Sequence, residues 1–259
     1  MFEHLIVSHP VEKIFQITLN RPRQFNALAA KTISELVAAI QEFEASPDHV
    51  LVLTGSGRAF CFGADFQEFE EASRLTPMLD AFQNLIRTIY LCPKITLAIL
   101  NGFATGAGFD LALACDFRIS AEKIKVGEAY IGMGLVPDGG GSFFLPRQVG
   151  ISRALELLVS GESISAEEAQ ALGLIHKVFP AATFQTQGLE YASGLASKPQ
   201  TAVRLIKQLV KSNPQKLEDA LSNENRAQQI CFQDPAHQEI VRNFLAKRRN
   251  RKPEGDDER

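Results

Sequence analysis

With 259 residues, 45% of them hydrophobic, the chain is long enough to bury a substantial core. Its 27 basic and 30 acidic side chains leave a formal charge of −3, with no basic stripe outside the C-terminal tail, which argues against nucleic acid as a main partner. Cys61, Cys92, Cys115 and Cys231 stand far apart without CxxC or Cys/His spacing, so no structural metal is expected and a reducing compartment is.

Met1 to Leu5 lack a basic region followed by an apolar run, and no stretch reaches the roughly eighteen consecutive apolar residues of a membrane span, so a soluble cytoplasmic protein is expected. Leu5 to Val7, Ile14 to Leu19, Val50 to Thr54 and Ile95 to Leu100 are short Ile- and Val-rich runs bounded by turn residues, the pattern of strands. Between them Ile33, Leu36, Val37, Ile40 and Phe43, and then Phe82, Leu85, Ile86 and Ile89, recur at helical spacing. Strands that alternate with helices predict an α/β fold around a parallel sheet.

Further on, Ser165 and Glu168 have capping-box spacing and Gly173 supplies a left-handed stop, so a short helix is predicted over 165–172. From about Gly188 the strand signals fade into amphipathic segments near 189–196, 200–212, 216–231 and 235–248, a helical appendage. Lys247 to Lys252 is basic and Glu254 to Arg259 largely acidic, with nothing apolar to anchor them: a solvated tail.

Chemistry is carried by two glycine-rich turns. Asn101 to Asp110, Asn-Gly-Phe-Ala-Thr-Gly-Ala-Gly-Phe-Asp, follows an apolar strand and leads into the helical pattern Leu111, Leu113 and Ala114. Such a turn leaves backbone N–H groups at the positive end of a helix, where they can hold an anion or a developing oxyanion, although a tight connection without a ligand has the same signature. A second segment, Arg58 to Asp65, again follows a strand and a turn, Thr54 to Gly57, so two backbone donors can converge.

Taken together these segments resemble the crotonase (enoyl-CoA hydratase/isomerase) family, with its Leu-Thr-Gly, Ala-Phe-x-x-Gly-x-Asp and Asn-Gly-x-x-x-Gly motifs. The resemblance extends to Leu19-Asn20-Arg21-Pro22, Asn26-Ala27-Leu28, Leu145-Pro146-Arg147, Val149-Gly150, Ser165 to Ala169, Gly173-Leu174 and Phe244 to Arg248, nearly the whole chain. It implies a crotonase-type ββα spiral core over residues 1–195 and a C-terminal helical trimerisation region with a charged tail over 196–259. It also implies an acyl-CoA thioester as substrate, no cofactor, and a homotrimer or dimer of trimers.

By motif position the resemblance assigns the oxyanion hole to the backbone N–H groups of Ala64 and Ala107. Ala107 replaces a glycine and is tolerable only at negative φ. The two glutamates of the family's hydratases correspond here to Asp110 and Tyr130, and Tyr130 is no neutral-pH base. Asp138, in Leu135-Val136-Pro137-Asp138-Gly139, matches the acid/base carboxylate of some family isomerases, although a turn aspartate ahead of a helix has the same local pattern.

The resemblance also implies substrate contacts at Gln24, Asn26, Ala27 and Leu28, at Ala59, Phe60, Phe62, Gly63 and Asp65, and at Gly106, Tyr130, Gly134 and Lys247. Arg21, Arg23 and Lys247 are candidate cations for the CoA phosphates, and Phe66, Phe69, Leu75 and Leu79 for the acyl tunnel. The expected reaction is 3-enoyl-CoA to 2-enoyl-CoA isomerisation with Asp138 as the acid/base; Asp110 is a second catalytic candidate, paired with Asp138 in the alternatives. The alternatives are a 2-enoyl-CoA hydratase or acyl-CoA decarboxylase using the same pair, and a non-catalytic CoA- or RNA-binding relative that uses the basic 247–252 run.

Overall fold

A computed structural model describes residues 2–67 and 72–211, then 217, 218, 221, 222, 225, 229, 232, 233 and 235–250. In chain order it holds β1 (Leu5–Ser8), β2 (Ile14–Leu19), α1 (Ala30–Ala45), β3 (Val50–Gly55), β4 (Ala59–Cys61), α2 (Ala72–Leu91), β5 (Ile95–Leu100), β6 (Phe103–Thr105) and α3 (Ala107–Ala114). There follow β7 (Phe117–Ala121), β8 (Lys125–Gly127), a 3-10 turn (Ala129–Met133), α4 (Gly141–Ser160), β9 (Ile164–Ser165), α5 (Ala166–Ala171), β10 (Lys177–Phe179), α6 (Phe184–Ala196), α7 (Gln200–Val210) and α8 (Pro235–Asn250).

The repeating unit is a long strand, a short strand and a helix: β3-β4-α2, β5-β6-α3, then β7-β8 and the 3-10 turn. The long strands, with the three-residue β10 at one edge, stack into a six-stranded sheet in the order β1-β2-β3-β5-β7-β10, and the other short strands into a four-stranded sheet in the order β4-β6-β8-β9. Successive turns pair in parallel in both sheets, β3 with β5 with β7 and β4 with β6 with β8. The chain therefore climbs as a ββα spiral. The ββα spiral and its parallel pairing follow what the sequence and its family resemblance implied; the short strands of the second sheet were not read from the residues individually.

β5 runs through the middle of the large sheet and all six of its residues are buried, as a strand covered on both faces requires. α1 turns Ile33, Leu36, Ile40 and Phe43 into the core, each burial contributing about 1.5–3 kcal/mol. The capping box is present: Ser165 Oγ accepts from Glu168 N at 3.1 Å and Ser165 N donates to Glu168 Oε2 at 2.8 Å. α4 bends at Gly150, whose φ of 77° and ψ of 162° interrupt the helix.

The short helix α3 is anchored at its C-terminal end by the buried Arg118, which donates to the carbonyls of Cys115 at 2.8 Å and of Ala112 and Leu113 at 3.3 Å. A cation there complements the helix dipole, although burial pushes its ionisation down to about 10. α7 docks on the core through Lys207 and Lys211, both paired with Asp116 just before β7. Helices form at three of the four amphipathic segments, while 216–231 lies largely, and 251–259 wholly, outside the described residues. Among the described residues no helix is long and apolar enough to cross a membrane.

Candidate active site

The first turns of two spiral layers meet around one cavity of about 290 Å³, lined by Gly63, Ala64, Gly106, Ala107, Tyr130 and Asp138 among others. On one side Leu28 N donates to Gly63 O at 2.8 Å and Asp65 N to Leu28 O at 3.0 Å, a parallel bridge that turns the intervening Ala64 N–H away from Leu28. On the other, Ala107 is the first residue of α3, where an N–H has no partner inside the helix.

Gly106 makes the second donor possible. Its φ of 51° and ψ of −128° suit glycine, and by absorbing that turn it lets Ala107 enter α3 without a positive φ. The alanine in the glycine-rich motif is thus accommodated. The layers touch at Gly63: a Cβ there would sit 2.9 Å from the carbonyl of Thr105 and 3.5 Å from Ala107 N. Thr105 Oγ1 adds a bond to Phe62 O at 2.9 Å, holding the two donor loops together.

The same cavity is also lined by part of an acidic cluster. Tyr130 Oη stands 2.6 Å from Asp110 Oδ2 and 2.9 Å from Asp138 Oδ1. Burial, followed by the charges of Asp110, Asp138 and Glu128, pushes the Tyr130 phenol well above its ordinary value, so it stays a neutral donor. Asp138 lines the cavity, and also a smaller lobe of about 30 Å³ beside Leu28, Leu75, Leu79 and Phe82. Asp110 is completely buried and lines neither space.

Paired backbone donors beside a carboxylate suit chemistry that places negative charge on a carbonyl oxygen while a proton moves nearby. The family model for enoyl-CoA hydratase/isomerase matches residues 11–253. This chain belongs to that family. It is 39% identical over 253 residues to the probable enoyl-CoA hydratase of Rhodobacter capsulatus, covering 96% of this chain and 97% of that one. Against the 1,2-epoxyphenylacetyl-CoA isomerase of Escherichia coli it is 34% identical over 251 residues, 94% and 96% of the two chains. The crystal structure of enoyl-CoA hydratase from Bacillus halodurans superimposes with a TM-score of 0.87 at 27% identity, covering 93% of this chain and all of that one.

In this family member, a crotonase-type enzyme, several residues expected to touch substrate are engaged elsewhere. Asp65 is buried and binds Arg21 Nη2 at 2.8 Å, while Arg21 Nη1 donates to Ala27 O at 2.7 Å. Arg21 is therefore a clamp on the Ala64 loop rather than a free phosphate ligand. Asn26 spends its side chain on the backbone, accepting from Arg21 N and donating to the carbonyls of Ser56 and Ala59. Ala27, Ala59 and Phe60 are buried and line neither cavity space.

Phe62, Gly63, Gly106 and Tyr130 line the main cavity, and Leu28 the smaller lobe. Gly134 takes a left-handed turn after the 3-10 segment, next to the lining residues Met133 and Leu135. Gln24 and Lys247 are exposed on the surface. Of the tunnel candidates, Phe66 lines the main cavity against Phe244 of α8, Leu75 and Leu79 line the smaller lobe, and Phe69 lies outside the described residues. Glu128, two residues before Tyr130, is buried at 2% exposure. Thr105 and the clamp role of Arg21 were missed; for Arg21 the only signal was its place in the Asn-Arg-Pro motif.

Proposed function

We propose that this enzyme shifts the double bond of a 3-enoyl-CoA to give the conjugated 2-enoyl-CoA, with Asp138 as the proton-moving group. The Asp138 carboxylate removes a C2 proton, the C–H electron pair forms C1=C2, and the thioester oxygen takes the negative charge beneath the Ala64 and Ala107 N–H groups. Asp138 then returns the proton to C4, where the C3=C4 pair forms the C–H bond, the C1=C2 pair shifts to C2=C3, and the oxygen restores the thioester carbonyl. Each correctly aimed donor contributes about 2.7–4 kcal/mol to the enolate-like transition state.

The observation that carries this reading is that Asp138 is the one carboxylate among the described residues lining the cavity, beside both donors. Hydration needs a group to take the water proton and a placed acid for the α-carbon. Asp110 stands behind Tyr130, and the phenol holds its own proton. A 2-enoyl-CoA hydratase working through Asp110 and Asp138 is the second reading, favoured by the hydratases among the relatives.

The exposed rings of Phe25 and Phe62, in contact with Phe103, offer an apolar seat for the nucleotide end of CoA beside the Gln24 loop. No resident cofactor enters the mechanism. Three buried free thiols, Cys61, Cys92 and Cys115, suit the reducing cytoplasm we expect for it. Assembly as a trimer or dimer of trimers would cover Ile151, Leu155 and Val159, which stand exposed at helical spacing on α4.

Ultraviolet absorbance of the conjugated thioester tests the reaction. With a 3-enoyl-CoA, wild type raises the absorbance and Asp138→Ala does not, although it still binds CoA. Loss of 2-enoyl-CoA absorbance that Asp138→Ala leaves intact would overturn both the reaction and the base.

A further inference from the structure

A phenol carries one hydrogen, yet Tyr130 Oη is within hydrogen-bond distance of two carboxyl groups, at 2.6 Å and 2.9 Å. It donates to one of them, and a full two-centre hydrogen bond to the other needs a hydrogen from a protonated carboxyl. Among the described residues, the titratable groups around Asp138 are Asp110 from α3 and Glu128 and Tyr130 from the segment around the 3-10 turn, while the neutral Gln83 of α2 donates to the Asp138 carbonyl at 3.3 Å.

Asp110 and Asp138 are not equivalent holders of that proton. Asp110 is wholly buried, whereas Asp138 is half-buried on the cavity wall. Asp110 also has an acidic neighbour at close range: the point where Gly141 lacks a Cβ is 2.9 Å from Asp110 Oδ1 and 3.3 Å from Glu128 Oε1. Burial and a like charge both disfavour the ionised form. The first turn of α3 favours it, but that contribution is the smaller of the two for a fully buried group.

We propose that Asp110 keeps the proton and donates it to Tyr130, so that Tyr130 turns its own hydrogen to Asp138 and holds that carboxylate in the basic form. Tyr130 and Asp110 are then positioning residues, acting on the substrate only through Asp138. A tyrosine in this place does more than block water: it passes a hydrogen bond from a buried acid to the base. The role of Asp138 in this scheme rests on the isomerase reading, whereas the proton count does not.

The test is the pH dependence of kcat for a 3-enoyl-CoA in wild type, Tyr130→Phe, Asp110→Asn and Asp110→Ala. Tyr130→Phe removes a hydrogen bond to a charged group, so the acid limb moves up by about one to two pH units, with kcat falling and KM little changed. Asp110→Asn can still donate an N–H to Tyr130, so its limb stays where wild type has it, whatever the level of kcat. Asp110→Ala cannot donate, and its limb moves up.

An unmoved limb in Tyr130→Phe overturns the proposal, as does a downward move in both Asp110 variants, which is what losing an ionised neighbour would give. If wild type converts no 3-enoyl-CoA, the isomerase reading has failed, and infrared spectroscopy still decides the proton count. A protonated-carboxyl C=O band, shifted in D2O, is expected in the wild-type minus Asp110→Asn difference at neutral pH. Its absence sinks the inference.

Discussion

Asp65 separates a binding role from a supporting one. The motif suggests a substrate contact, but the side chain is 6% exposed and holds Arg21 at 2.8 Å, itself 15% exposed. Removing one partner of a buried pair leaves the other charge uncompensated, a cost of about 3–5 kcal/mol. Taking the lower end, and about 2–4 °C per kcal/mol for a chain of this size, Asp65→Ala lowers Tm by roughly 6–12 °C.

The same substitution loosens the loop that aims the Ala64 N–H, since Arg21 also grips the Ala27 carbonyl and Asp65 Oδ1 accepts from Gln67 N at 3.1 Å. Part of one donor's contribution is lost, so kcat falls about tenfold or more while KM stays near its wild-type value. Thermal melts with steady-state kinetics on Asp65→Ala, Arg21→Met and the double variant read this directly. The double variant should melt above the sum of the two losses, because no lone charge remains. A Tm within about 2 °C of wild type, or a raised KM at unchanged kcat, would refute the clamp and return Asp65 to the substrate.

Gly63→Ala should fold but lose about 10²-fold or more in kcat, because its φ of 100° and a Cβ 2.9 Å from the Thr105 carbonyl displace the Ala64 donor; kinetics beside a circular-dichroism melt check this. Burial alone would raise the pKa of Asp116 and disfavour its charged form, but Lys211 and Lys207 outweigh it and hold the carboxyl below its ordinary 3.8. Its contribution is therefore complete above that pH and lost as pH falls through the folded value, so the Tm advantage of wild type over Asp116→Asn should persist at pH 6 and shrink below about pH 4. For assembly, light scattering should give wild type a multiple of 28.5 kDa and Leu155→Glu a smaller species, whereas an unchanged mass would exclude that face of α4 from the interface.

Four strands of the large sheet, β1, β2, β3 and β5, were legible as apolar or alternating runs of four to six residues, whereas β7 and the three-residue β10 were not. β4, β6 and β8 are three residues each, too short to show alternation, and they exist through partners some forty and twenty residues away. The helix α5 could be placed to within a residue or two because its capping box is local. The bend at Gly150 could not, since a glycine inside a helical pattern reads equally as a tolerated interior residue.

At the candidate site, the motifs located the donor loops but not the direction of any side chain. Asn26 and Asp65 carry amide and carboxylate groups suited to binding a ligand, and only the fold reveals that carbonyls and a guanidinium already occupy them. The family resemblance implied one neighbourhood for Asp110, Tyr130 and Asp138 without showing that a single hydroxyl lies between the two carboxyls. That bridge makes the substitution of a carboxylate by a phenol consequential. A second carboxylate would have added a charge to a pocket already holding Asp110, Glu128 and Asp138, whereas a phenol adds a hydrogen-bond donor that burial keeps neutral. On the proposed isomerase reading, the site would thereby keep one usable base for the substrate, which suits moving a proton along a chain better than adding water across it.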